Sequence, residues 1–160
     1  GAAGAMQHDD VDLSDLVDES ALEFDAIAFE RSCAISSTIE ENVHVTGDRE
    51  WLERLVRILM DNACKYAGAN TIVLVALSQH GRAAHLSVTN MGTPIDPEDL
   101  PHLFDRFYRS DKARARTSQA SGFGLGLAIA KGIVEAHGGG ISVKSDQVEG
   151  TTFSVTIPIA

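Results

Sequence analysis

The spacing of apolar residues switches repeatedly between the helical and the strand period, which confines this chain to a mixed α and β fold. From Leu13 to about Arg31, apolar side chains recur at Leu13, Leu16, Val17, Ala21, Phe24 and Ala28, a helical stripe with Asp12 or Ser14 as its N-cap. Cys33 to Ile39 alternates as a strand, and Val43-His-Val45 reads as a second, short one. Asp48 then caps a helix running to about Tyr66, with Leu52, Leu55, Val56, Leu59 and Ala63 on its buried face. Strands over Thr71 to Ser78 and Ala83 to Thr89 are joined across a turn at Gln79-His-Gly-Arg82. Pro97 to Leu103 predicts a short helix opened by proline, and Arg109 to Ser121 carries no apolar period and reads as a flexible loop. A helix from about Phe123 to Ala136 stops at Gly138-Gly-Gly140, and strands Ile141 to Lys144 and Thr152 to Ile157 flank a turn at Gly150. The expected class is α+β: a two-layer α/β sandwich whose mixed, mostly antiparallel sheet is covered on one face by helices.

Composition narrows the function classes. The 160 residues are enough for one domain, with 44% hydrophobic and 22% charged residues in the ordinary globular balance. A net charge of −10 argues against nucleic acid or an anionic membrane as the main partner. The longest apolar runs, such as Ile72 to Leu77, are far shorter than the ~20 residues a membrane helix needs. Cys33 and Cys64 have no CxxC spacing, so neither a disulfide framework nor a zinc site is expected, and a reducing cytoplasm fits. Residues 1–10 are expected to be a disordered leader, with the folded domain over 11–160.

Four segments carry candidate chemistry. In Gly122-Phe-Gly-Leu-Gly-Leu127, glycines at alternate positions let backbone approach a ligand, and the helix that follows aims free N–H groups at an anion. It is not a P-loop, because Leu127-Ala128 stands where Lys-Ser/Thr is required, and no strand directly precedes it as a dinucleotide fingerprint demands. In Asp61-Asn62-Ala63-Cys64-Lys65-Tyr66, Asn62 shares a helix side with Lys65 and Tyr66; an amide oxygen suits magnesium and an ammonium suits phosphate. The plain structural alternative is a polar core edge with a solvated Asp61–Lys65 pair. Asn90-Met-Gly-Thr-Pro-Ile95 offers a polar side chain at a strand end, then Gly92 and a return to the core at Ile95; it can hold a base edge or be a surface turn. Phe104-Asp-Arg-Phe-Tyr-Arg109 places Phe104 and Phe107 where they can plug the core and anchor the loop that follows.

In this order and spacing, the four segments resemble the N, G1, F and G2 boxes of the catalytic ATP-binding domain of sensor histidine kinases. Those domains share the Bergerat fold with gyrase, Hsp90 and MutL. Gly150-Thr151-Thr152 resembles a further small box, and the likeness runs from about Leu13 to Pro158. It implies ATP or ADP bound with Mg²⁺ under a flexible lid, about residues 109–121. Asn62 would ligate the magnesium and, with Lys65, act catalytically; Lys65 and Tyr66 would lie near the phosphates. Asn90, Gly92 and Ile95 would form the adenine pocket. Gly122, Phe123, Gly124, Leu125, Gly126 and Leu127 would build the phosphate site, and Thr152 would contribute from the last box. The resemblance also implies a separate dimerisation domain carrying the acceptor histidine, a response regulator downstream, and a homodimeric parent at a bacterial membrane, while the isolated domain is a cytoplasmic monomer.

Three departures qualify it. Asn90 stands where the family usually has Asp; an amide oxygen still accepts a hydrogen bond, without charge assistance. Ile58, one turn before Asn62, stands where the family's ATP hydrolases have Glu, so very slow hydrolysis is expected. None of the six histidines sits in a helical hairpin able to serve as phosphoacceptor. Arg109, Lys112, Arg114 and Arg116 concentrate positive charge in the loop, as a lid ordering over phosphates would. The rival readings are an anti-sigma-type serine kinase and a degenerate module that binds partners without nucleotide.

Overall fold

The computed structural model describes residues 5–106 and 125–159. In chain order the elements are β1 (Asp9–Asp12), α1 (Leu13–Glu30), β2 (Cys33–Ile39), β3 (His44–Gly47), α2 (Arg49–Tyr66), β4 (Thr71–His80), β5 (Ala83–Asn90), α3 (Gly126–Ala136), β6 (Gly140–Asp146) and β7 (Gly150–Pro158). The main sheet has five strands in the order β2-β4-β5-β7-β6, parallel only between β2 and β4. β1 and β3 form a separate antiparallel pair.

Period-two alternation sets the layers. Val73, Val75 and Leu77 of β4, Leu86 and Val88 of β5, and Phe153, Val155 and Ile157 of β7 are buried on one face. Against that face lie Leu16, Val17 and Phe24 of α1, Leu52, Leu55, Val56 and Leu59 of α2, and Leu127, Ala130 and Val134 of α3. Each fully buried Leu or Val contributes about 1.5–3 kcal/mol. The opposite face is open, and Ile72 and Leu74 stand on it about half exposed. The two-layer α+β arrangement is the one expected from the sequence.

Local chemistry explains the helix limits. Asp12 Oδ1 accepts the Asp15 N–H at 3.0 Å and Asp48 Oδ1 accepts the Trp51 N–H at 3.2 Å, so α1 and α2 start on side-chain caps. α3 ends in a Schellman motif: Gly138 has φ 77°, its N–H donates to Glu135 O, and the Gly139 N–H donates to Val134 O. α2 ends differently, on Ala67 in an extended conformation.

Three expectations need correction. The folded unit begins before residue 11, since Asp9 pairs with Gly47 and Asp10 with Thr46, and the Gln7 N–H donates to Asp48 Oδ2 at 2.9 Å. The helix expected over Pro97 to Leu103 shrinks to a single 3-10 turn, Leu100–His102, because Pro101 has no N–H to donate toward Pro97. The β4–β5 turn is tighter than read, with the strands reaching His80 and Ala83 around Gly81 at φ 59°. Arg109 to Ser121 and Phe107 lie outside the described residues.

Candidate functional site

The C-terminal turns of α2, the end of β5 and the start of β7 meet in one corner. Asn62 is half-buried on α2, and Lys65 is exposed with its Nζ 3.9 Å from Asp61 Oδ2, while Asp61 also meets Arg31 at 3.6 Å. Ile58, one turn before Asn62, faces α3: its Cγ2 lies 3.7 Å from the place a Cβ on Gly126 would occupy. The side of α2 carrying Ile58 and Asn62 therefore faces the first turn of α3. No side chain caps that turn, and Leu125, at the N-cap, is 42% exposed. Leu127 is buried and fixes α3 to the core. Gly122, Phe123 and Gly124 lie outside the described residues.

Asn90 closes β5 and is only 3% exposed. Its Nδ2 donates to the Tyr66 carbonyl at 3.3 Å, which settles the direction of the amide and leaves Oδ1 as the acceptor. Gly92 lies directly against the same carbonyl, where any Cβ would overlap it. The Gly68 N–H donates to Met91 O, and Thr71 Oγ1 donates to Gly68 O, so the end of α2 and the end of β5 are stitched together.

Ile95 is held from the far side of the corner. Its N–H donates to Ser145 Oγ at 2.8 Å, and Ser145 Oγ in turn lies 2.7 Å from Thr151 Oγ1. Thr151 is 5% exposed and sits opposite Asn90 in the β5–β7 register. Gly150, at φ 80°, packs against the Asn90 carbonyl and Met91 Sδ with no room for a side chain. Thr152 points the other way. It pairs with Thr89 on the open face, the two hydroxyls 2.8 Å apart, whereas Thr151 lies on the helix-covered face. Strand parity carried that signal, because Phe153, Val155 and Ile157 point inward and so must Thr151. Ser145 had no comparable signal. Phe104 is half-buried and meets Phe153 edge to face, with centroids 6.1 Å apart, as a core plug should.

Two groups near the helix pair have shifted acidities. Asp48 is held below the usual carboxylate range, first by the Gln7 N–H and then by the Trp51 and Glu50 N–H groups and His137, against an opposing effect of burial. Burial pushes the Cys64 thiol up to about 11, with Cys33 beside it adding to the effect. Among the described residues no group of three or more His, Cys, Asp or Glu is arranged to hold a metal ion. No helix among them is long and apolar enough to cross a membrane.

A family model for histidine kinase-, DNA gyrase B- and HSP90-like ATPases matches residues 47–160. The chain belongs to this ATPase family. Within it, the similarity is to sensor histidine kinases. CusS of Escherichia coli is 41% identical over 135 residues, covering 84% of this chain and 27% of CusS. TrcS of Mycobacterium tuberculosis is 38% identical over 159 residues, covering 96% of this chain and 30% of TrcS. Full-length ShkA, solved in complex with AMPPNP, superposes with a TM-score of 0.81 at 25% identity, covering 100% of this chain and 33% of ShkA. The chain thus spans about a third or less of these proteins and is a catalytic ATP-binding domain of the histidine kinase type.

Proposed function

We propose that this domain binds Mg·ATP and donates the γ-phosphoryl group to a histidine on a separate dimerisation domain. The supporting observation is the pairing of an acceptor at Asn90 Oδ1 with the uncapped first turn of α3 across from Asn62. Oδ1 suits the exocyclic amine of adenine, with Gly92, Ile95 and Thr151 shaping the pocket around the base. Gly122, Gly124 and Gly126 bring backbone N–H groups to the phosphates, supported by Phe123, Leu125 and Leu127. Asn62 presents an amide oxygen to magnesium, while Lys65 and Tyr66 lie on the same helix side toward the phosphate oxygens.

In the transfer, a ring nitrogen of the acceptor histidine attacks the γ-phosphorus, the bond to the bridging oxygen breaks, and ADP leaves. Bound magnesium supplies charge neutralisation on the phosphates. The chain's own part is to bind, orient and exclude water. Ile58 is apolar where a general base would be needed for hydrolysis, so ATP is spared for transfer. The parent is proposed to be a membrane-anchored homodimer acting on a response regulator, with this domain monomeric on its cytoplasmic side.

The test combines this domain, γ-labelled ATP and a separately produced dimerisation domain. Acid-labile, base-stable label on a histidine is expected. Label on a serine of a regulator protein would support an anti-sigma-type kinase instead. No nucleotide binding at all would favour a partner-binding module.

A further inference from the structure

We propose that His80 and His85 form a two-histidine site for a borderline transition-metal ion, Zn²⁺ or Cu²⁺, on the face of the sheet turned away from the helices. The site is separate from the nucleotide corner and does not rest on the function proposed above.

Strand register brings the two rings together. His80 ends β4, and His85 lies on β5, joined to it through the tight turn at Gly81. In the antiparallel pairing His80 stands opposite Ala83 and Ser78 opposite His85, so the histidines are diagonal neighbours on one face. It is the open face, because Ala84 and Leu86, on either side of His85, are buried in the core. The ring centroids are 5.3 Å apart, with 65° between the planes. With metal–nitrogen bonds of about 2.0–2.1 Å, two imidazoles sharing a tetrahedral ion have centroids about 5 Å apart. The pair already has the separation of a chelate. His85 is half-buried, and its Nδ1 lies 3.5 Å from Oγ1 of Thr156, its register partner on β7. With Nδ1 turned to that hydroxyl, Nε2 is the nitrogen left for a metal, and the outer contact holds the ring's orientation. His80 is exposed, so small rotations of its side chain complete the pair.

The donors select the ion. Neutral imidazole nitrogen suits Zn²⁺ and Cu²⁺, with Cu²⁺ bound more tightly, whereas Mg²⁺ and Ca²⁺ take oxygen. Among the described residues no third His, Cys, Asp or Glu completes the set, so the remaining coordination positions fall to water and the ion stays reachable from solution. His85 precedes Asn90 by five residues on β5, about 17 Å along an extended strand, and the two side chains take opposite faces of the sheet. An ion held by the histidines therefore does not touch the corner that carries Asn90.

The test titrates Zn²⁺ by calorimetry into the whole 160-residue chain and its His80→Ala, His85→Ala and His44→Ala variants. Saturable one-to-one binding is expected, weakened at least about tenfold in His80→Ala and in His85→Ala, and by less than about twofold in His44→Ala. Excess Mg²⁺ should not displace the Zn²⁺. The unaltered chain gives a second reading that needs no variant. Substoichiometric Cu²⁺, which is paramagnetic, is expected to broaden the amide NMR signals of residues 79–86 and 155–157 before any others. Absence of saturable Zn²⁺ binding, or unchanged affinity in either His80→Ala or His85→Ala, overturns the proposal. Broadening that starts around His44 or Asn62 overturns it as well.

Discussion

The backbone N–H of Asp48 donates to His137 Nε2 at 3.1 Å, joining residues 89 positions apart in sequence. His137 Nδ1 meets Ile133 O at 2.8 Å, so both ring nitrogens are engaged and the ring is held in place. Asp48 caps the start of α2, and His137 stands at the end of α3. The two helices run antiparallel, and this contact clamps them at the end remote from Asn62 and Gly126. A clamp there fixes the helix spacing on which the nucleotide site depends.

The clamp is tight enough to be tested by overpacking. A Cβ on Gly47 would overlap the His137 ring. Gly47→Ala is expected to destabilise the chain by about 1–3 kcal/mol. In a His137→Ala background, where the ring is gone, the same change should cost well under half as much. Urea unfolding of the four chains in this cycle measures the coupling. Additive effects would show that the ring does not confine Gly47.

Acid should act on the same clamp through Asp48. Its carboxyl is held below the usual range, chiefly by the Gln7 N–H. The folded state therefore binds the proton less readily than the unfolded one. The resulting stability is present above the unfolded value, about 3.9, and is lost as pH falls through the lowered folded value. Removing residues 1–8 takes away the Gln7 donor and should raise the Asp48 midpoint in an NMR titration. An unchanged midpoint would mean that Gln7 is not the controlling partner.

Alkali should act through Cys64. Burial raises its thiol to about 11, so the folded state holds that proton more firmly. The contribution is complete below the unfolded value, about 8.5, and declines as pH rises through about 11. Cys33 and Cys64 are both buried, so iodoacetamide labelling near neutral pH should proceed only as fast as the chain unfolds. Rapid labelling of either thiol in the native chain would contradict this.

The opposite faces taken by Thr151 and Thr152 on β7 give a paired mutation test. Thr151→Val removes the hydroxyl that holds Ser145 and, through it, Ile95; an approximately tenfold loss of Mg·ATP affinity is expected. Thr152→Val alters only the open face beside Thr89, and its effect on affinity should be less than about twofold. The reverse order of effects would place Thr152, and not Thr151, at the nucleotide.

Much of this was legible in the sequence because it depends on local chemistry. Asp12 and Asp48 announced their helices, Gly138 to Gly140 announced a stop, and apolar periods placed the core faces of α1 and α2. β1 was missed because Asp9 and Asp10 pair through backbone groups and leave no apolar alternation to read. The helix after Pro97 was overcalled because Pro101 removes the donor needed one turn later. At the site, the order of the boxes singled out Asn62, Asn90 and Gly92. The direction of the Asn90 amide was not legible, since it is set by the Tyr66 carbonyl, which only the folded chain brings within reach. Ser145 stayed invisible for the same reason: its partners Ile95 and Thr151 come from other elements.

Calorimetric titration of the chain with ATP, in magnesium and in EDTA, with Asn62→Ala as the comparison, tests the central claim most directly. The expected result is saturable one-to-one binding in magnesium that weakens about tenfold or more both in EDTA and in the Asn62→Ala chain. Absence of binding in magnesium, or equal affinity in all three experiments, would contradict a magnesium-dependent nucleotide site at Asn62.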